Sequence, residues 1–202
     1  MSVTDAGERL AWERLAGRAR EEVCAACGVP WEPRGGGYRV GCFGRAYLVD
    51  PASRRITACD EEGERLLERL APHLQLALPW CLAKSSGARP RGTLVRPSSL
   101  PGGDIFLRGT HVLPLDELAR RFGDAAADFT AAGTRMGGVP APYGDAAVEL
   151  LPLPRLPVTV ILWTGDEEFP ARADLLLDAS AAGLLPVDIL WSAAMMSLLV
   201  LR

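Results

Sequence analysis

Between Val148 and Ser180 the chain reads VELLPLPRLPVTVILWTGDEEFPARADLLLDAS. Three apolar runs, Val148 to Leu153, Val158 to Trp163 and Asp174 to Ala179, are rich in β-branched and large aliphatic residues and read as strands. Pro152, Pro154 and Pro157 fall between or at the ends of the first two, where a missing N–H donor is tolerated. The loop from Thr164 to Ala173 suits an antiparallel return, whereas a parallel one needs a crossover of a dozen or more residues. If Trp163 pairs with Asp174, Ile161 faces Leu176 and Thr159 faces Asp178. That register puts Asp178 roughly 13 Å down the hairpin from the loop, at about 3.3 Å per residue.

The rest of the chain supplies helices in separate runs. Trp12, Leu15, Ala16, Ala19, Val23 and Cys27 recur at helical spacing, so one helix is expected over Asp5 to Cys27, stopped by Gly28 and Pro30. YRVGCFGRAYLVDPASRRITA predicts a hairpin with strands near Arg45 to Val49 and Arg55 to Ala58, turning at Asp50-Pro51-Ala52-Ser53. A second helical stretch opens at Asp60 or Glu61. Pro72 and Pro79 are expected to divide APHLQLALPWCLAKSS into two or three helical pieces. Thr93 to Arg96 and Ile105 to Leu107 are short strand candidates around the turn LPGGD. Helices come next over Leu115 to Phe122 and Ala125 to Met136, each ended by glycine. Val187 to Leu201 reads as a buried C-terminal helix. The pattern predicts an α+β fold: an antiparallel sheet including a C-terminal hairpin, packed with several helices, in a single domain spanning 1–202, with 1–87 and 88–202 as candidate subdomains.

Composition narrows the function. With 49% hydrophobic residues and a net charge of -3, the chain is globular and lacks the clustered cations that nucleic-acid binding needs. The basic stretch from Lys84 to Arg96, broken by Ser, Gly and Pro, reads as a solvated connector. No apolar stretch reaches about 18 residues, so membrane spanning is not expected. Five cysteines and an N-terminal segment without an apolar core point to reduced thiols and the cytoplasm.

Candidate chemistry is sparse. Asp166, Glu167 and Glu168 are the acid or base candidates for an enzyme, against the plainer reading of a solvated turn opened by Gly165-Asp166 and closed by Pro170. Arg155, Asp178 and Ser180 are ligand-binding candidates beside the hairpin; Asp178 and Ser180 can equally cap the strand-to-helix connection. Cys24 and Cys27 form a CxxC, but at a helix end and without a second pair, which favours packing over zinc or redox chemistry. His73 and His111 have no metal-ligand spacing, and no metal site is expected. The Gly-rich RGGGYRVGCFG meets neither phosphate fingerprint.

ELARRFG (Glu117 to Gly123), the Met136-Gly137-Gly138 helix end, the segment Gly144 to Pro170 and DLLLDAS (Asp174 to Ser180) together resemble the bacterial and archaeal domain-of-unknown-function family numbered 3786. GRAYLVDP and LPGGD fall in the expected order. The resemblance covers most of the chain and implies a shared fold without an assigned activity. It also implies that family members carry a His-Tyr pair where this chain has Trp80-Cys81 and a histidine near Gly183. If those histidines hold a metal or tetrapyrrole in relatives, this chain lacks them. The expectation is a cytoplasmic small-ligand or cofactor-binding or accessory protein, its cofactor unknown and its partner a small molecule or a protein. The alternatives are a hydrolase or transferase using Asp166 to Glu168, and a structural homo-oligomer interacting through the apolar face of Val187 to Leu201.

Overall fold

The computed structural model describes residues 3–202. Among them, two antiparallel sheets and eight α-helices make up an α+β fold around one continuous buried cluster.

The N-terminal helical run is two helices, α1 (Val3–Ala16) and α2 (Arg20–Cys27), and not the single helix its spacing predicts. Gly17 and Arg18 close α1 with hydrogen bonds to Arg14 and Leu15, and Ala19 is extended. Trp12 and Leu15 are buried by α1, Val23 and Cys27 by α2, so the spacing survives the break. Ala16 and Ala19, the apolar residues flanking it, are exposed. The break is held by Arg18, whose Nη1 donates to the carbonyls of Leu82 at 2.9 Å and Ser85 at 3.4 Å.

The first sheet has the order β1-β2-β3-β4: β1 (Trp31–Glu32), β2 (Gly37–Cys42), β3 (Arg45–Asp50) and β4 (Arg55–Ala58). The expected β3–β4 hairpin is present, and Asp50 organises its turn by accepting from the Ala52 N–H at 2.8 Å and the Ser53 hydroxyl at 2.6 Å. Strand β2 is additional; Tyr38, Val40 and Cys42 alternate inward with exposed Arg39 and Gly41. A two-residue turn, Phe43-Gly44, joins β2 to β3 with φ of 49° and 70°. Positive φ at both positions suits the right-handed twist of a tight hairpin. For phenylalanine it costs about 1–3 kcal/mol, which burial of the ring offsets at roughly 1.5–3 kcal/mol. Phe43 is fully buried, and its N–H donates to the Leu151 carbonyl at 3.0 Å, which fastens the first sheet to the second.

Asp60 caps α3 (Glu61–Arg69) by accepting from the Gly63 N–H at 2.7 Å. Helix α4 (Ala71–Lys84) then runs straight through Pro79, which does not interrupt it as expected. Leu74, Ala77, Leu78 and Leu82 are fully buried; packing of this kind outweighs one lost hydrogen bond. The expected strand at Ile105 to Leu107 is instead a 3₁₀ segment, Gly103–Leu107, entered through Gly102 at φ 74°.

The second sheet has the order β5-β9-β8-β7-β6: β5 (Leu94–Val95), β6 (Val139–Pro140), β7 (Ala146–Leu153), β8 (Leu156–Trp163) and β9 (Arg172–Asp178). Leu156 to Leu162 is buried at every position, the pattern of a strand covered on both faces. Pro152 sits at an irregularity between Leu150 and Leu153, and Pro154 in the turn. In the β8–β9 hairpin Trp163 pairs with Arg172, Ile161 with Asp174 and Thr159 with Leu176. This is two residues from the expected register, because the loop is shorter; an even slip leaves every side chain on its predicted face. Helices α5 (Leu115–Phe122) and α6 (Ala126–Arg135) match their expected bounds within a residue. Two more come after β9: α7 (Ala181–Leu184) and α8 (Val187–Leu199). Helix α8 is buried in the chain's own core, with Trp191, Met195 and Leu199 only partly covered. Among the described residues no helix is long and apolar enough to cross a membrane.

Candidate functional site

The acidic loop is a self-capped turn. Asp166 Oδ1 accepts from the N–H groups of Glu168 at 2.8 Å and Phe169 at 2.7 Å, and the Asp166 N–H donates to the Phe169 carbonyl. Residues 165–170 are all exposed. Water therefore screens the three carboxylates, and nothing there sequesters one as a general acid would require.

Asp178 and Ser180 belong to a different environment. Both are buried. The Asp178 carboxylate accepts from the Arg91 N–H at 3.0 Å, the Gly92 N–H at 2.7 Å, the Ser180 N–H at 2.9 Å and the Ser180 hydroxyl at 2.5 Å. Burial alone would push this carboxyl up, but the hydrogen bonds from Ser180, Arg91 and Gly92 outweigh it and hold the group below its ordinary range. Its lone pairs are committed to the chain's own backbone, so Asp178 and Ser180 position a segment and leave little for a ligand. That segment is the connector from Ser85 to Gly92. Its near end is tied down by the Ser86 hydroxyl, which donates to the Gly183 carbonyl at 2.6 Å. Between the ties, Arg89 and Pro90 are carried over a cleft.

Arg155 reaches that cleft from the β7–β8 turn, at φ 62°. Its guanidinium donates to the carbonyls of Ala26, of Gly87 at 3.1 Å and of Ala25 at 3.0 Å. Ala25 and Ala26 lie in the last turn of α2, where unpaired carbonyls concentrate negative partial charge that a guanidinium satisfies. Helix α2, the connector and the second sheet thus meet on one side chain.

The cleft has a volume of about 770 Å³. Arg39, Arg89 and Arg155 supply its charged lining, with no carboxylate among the described residues that line it. Val29, Pro30, Leu151 and Pro154 give it apolar walls, and Leu151 remains 46% exposed. Arg39 is half satisfied by Glu32 at 2.9 Å. Arg89 is exposed and has no ion-pair or hydrogen-bond partner among the described residues. The volume falls in the range of small-molecule sites, about 300–1,000 Å³, and the lining shares their character of apolar walls with a few polar groups.

Cys27 also lines this cleft. Its thiol donates to the Cys81 carbonyl at 3.5 Å. A hydrogen bond from the Cys81 thiol, with help from Ser85 and the nearby Arg18 and Arg155, lowers the Cys27 pKa against the opposing effect of burial. The same contact and burial raise Cys81. The thiol partner of Cys27 is therefore Cys81 on α4, and not Cys24 of the CxxC. Cys24 is raised, chiefly by burial. His73 and His111 pack edge-on against Trp191, whose Nε1 donates to the His111 carbonyl at 2.7 Å; burial lowers His73. Trp80 lies beneath the Arg14 guanidinium. Among the described residues no three His, Cys, Asp or Glu side chains converge as ligands for a metal ion.

Of the catalytic and ligand-binding candidates named from the sequence, Arg155 lines the cleft directly. Asp178 and Ser180 act on it through the connector, and Asp166 to Glu168 form their own exposed turn. Arg39, Arg89 and Cys27 carry no local signal of a shared site: one is an outward residue of a strand, one lies in a connector, and one looks like half of a CxxC. Residues 20–199 match the family described as Domain of unknown function (DUF3786). No curated protein and no solved structure matches the chain.

Proposed function

The chain belongs to the DUF3786 family, whose description carries no activity, and we propose from the cleft itself that the protein binds a small organic anion with an apolar body. One observation carries the reading: the charged groups lining a cleft of about 770 Å³ are all guanidinium, set among apolar walls. Arg155 is fixed by backbone carbonyls and gives a rigid positive wall. Arg89, free of partners and held on a clamped connector, is the group that engages the ligand's acidic end; planar guanidinium suits carboxylate or phosphate recognition. A binding or accessory role in the cytoplasm fits this arrangement, and five unpaired cysteines agree with a reducing compartment.

The test is native mass spectrometry on protein purified anaerobically from its own host, before and after denaturation. The expected result is a mass excess that disappears on denaturation and is absent from the Arg89→Gln variant, whose stability stays within about 0.5 kcal/mol. A bare polypeptide mass for the wild type would sink the tightly held ligand, and a mass excess indifferent to Arg89 would move it out of this cleft.

A further inference from the structure

The turn Phe43-Gly44 serves two hollows. Ala46, just beyond it, lines the cleft described above, whereas Arg45 lines a second, smaller one of about 320 Å³. Four arginines, Arg45, Arg65, Arg69 and Arg135, surround this second hollow, with Glu62 as the acidic group among them. They come from β3, α3 and α6. A close backbone approach brings the start of β3 and the end of α6 together: a Cβ built on Gly137 would lie 2.8 Å from the Gly44 Cα, and one on Gly44 would lie 3.1 Å from the Gly137 Cα. Both positions have φ of 70°. Glycine is required at both for the α6 terminus to sit against the turn.

The ordinary reasons for surface arginines account for these four only in part. Arg45 is paired with Glu62. Arg69 and Arg135 stand in the last turns of their helices, where cations complement the helix dipole. Arg69 is further held by a long hydrogen bond to the Val200 carbonyl at 3.4 Å, and Arg65 by an exposed contact with Glu61 at 3.4 Å. Arg135 has no ionic or hydrogen-bonding partner among the described residues. None of these reasons explains why the four converge on one hollow in a chain of net charge -3, since like charges brought together on a fold cost stability. Arg65 and Arg69, one turn apart on α3, already incur that repulsion. The hollow also has an apolar floor: Leu66 is buried and Met136 half-buried.

We propose that this second hollow binds a small phosphorylated organic molecule, its phosphate held by Arg65, Arg69 and Arg135 and its organic body resting on Leu66 and Met136. A phosphate dianion neutralises the repulsion, and guanidinium forks match its oxygens in charge-assisted pairs. Arg45, engaged with Glu62, fixes the rim. This assignment goes beyond the proposed function, concerns different residues and stands independently of the first cleft.

Calorimetric titration of the full chain with phenyl phosphate at low salt tests it, alongside inorganic phosphate and the Arg65→Gln/Arg135→Gln and Arg89→Gln variants. Saturable binding of phenyl phosphate is expected, tighter than that of inorganic phosphate, which lacks a body for the apolar floor. The double variant should weaken binding at this hollow at least about tenfold, with an unchanged circular dichroism spectrum, while in Arg89→Gln, which removes the contribution of the first cleft, a saturable site that depends on Arg65 and Arg135 persists. Absence of saturation up to about 10 mM, a concentration beyond any useful affinity, overturns the proposal. Binding that survives the double variant but is lost in Arg89→Gln overturns it as well, and assigns the anion to the first cleft.

Discussion

Asp166 and Asp178 flank the same hairpin strand, β9, and both accept hydrogen bonds from backbone N–H groups, yet they do different work. Asp166 serves donors two and three residues ahead, in water. Asp178, itself buried, serves Ser180 two residues ahead and also Arg91 and Gly92, which precede it by 87 and 86 residues. The first closes a loop that would turn without it. The second joins two distant parts of the chain and sets where Arg89 sits over the cleft. Burial and sequence separation, and not the presence of a carboxylate, decide how much of the fold depends on each.

Asp178→Ala gives the largest effect expected of this contrast. It strands the buried N–H and hydroxyl of Ser180 and the part-buried N–H groups of Arg91 and Gly92, for a loss of about 3 kcal/mol and a fall in melting temperature on the order of 10 °C; a loss no greater than that of a surface substitution would erase the contrast. Arg155→Met comes next. It uncovers the carbonyls of Ala25, Ala26 and Gly87 in a partly exposed setting and should cost about 2 kcal/mol by denaturant titration. A value near zero would mean that water replaces the guanidinium without loss. A pH series on Asp178→Asn sharpens the comparison further. Because the folded-state pKa of Asp178 lies below its ordinary value near 3.8, its stabilisation is complete above that value and is lost as pH falls through the folded-state pKa. The stability gap between wild type and Asp178→Asn should therefore narrow on acidification below about 3.8; a gap that stays constant would assign the loss to shape and not to charge. The smallest effect belongs to the loop: Asp166, Glu167 and Glu168 replaced together by Ser should change stability by about 1 kcal/mol or less. A loss several times larger would make the exposed turn a partner of the clamp.

Legibility in the sequence divides along the same line. The β3–β4 and β8–β9 hairpins and helices α5 and α6 rest on contacts a few residues apart, and alternation, Asx turns and glycine stops announce them. The break between α1 and α2 is hidden because Trp12, Leu15, Val23 and Cys27 keep helical spacing across it; the force that bends the chain is Arg18 reaching Leu82 and Ser85. Pro79 misleads in the opposite sense, since local cost yields to the burial of Leu74, Leu78 and Leu82. For the site, Arg155, Asp178 and Ser180 are visible as polar groups beside the hairpin. Their partners are not: the Arg89 segment reads as a solvated connector, and Cys27 as the companion of Cys24. Nothing local to those residues encodes contacts made with α4 and β9.

The turn at Phe43 carries a consequence in time as well as in space. Its N–H is satisfied only when Leu151 arrives, roughly 110 residues later in synthesis, an interval of roughly 5 to 20 s at translation rates of about 5–20 residues per second. Until then the N–H at the tip of a nascent first sheet lacks its carbonyl partner. The joint that fastens the finished protein is, on the ribosome, completed only after β7 has been made.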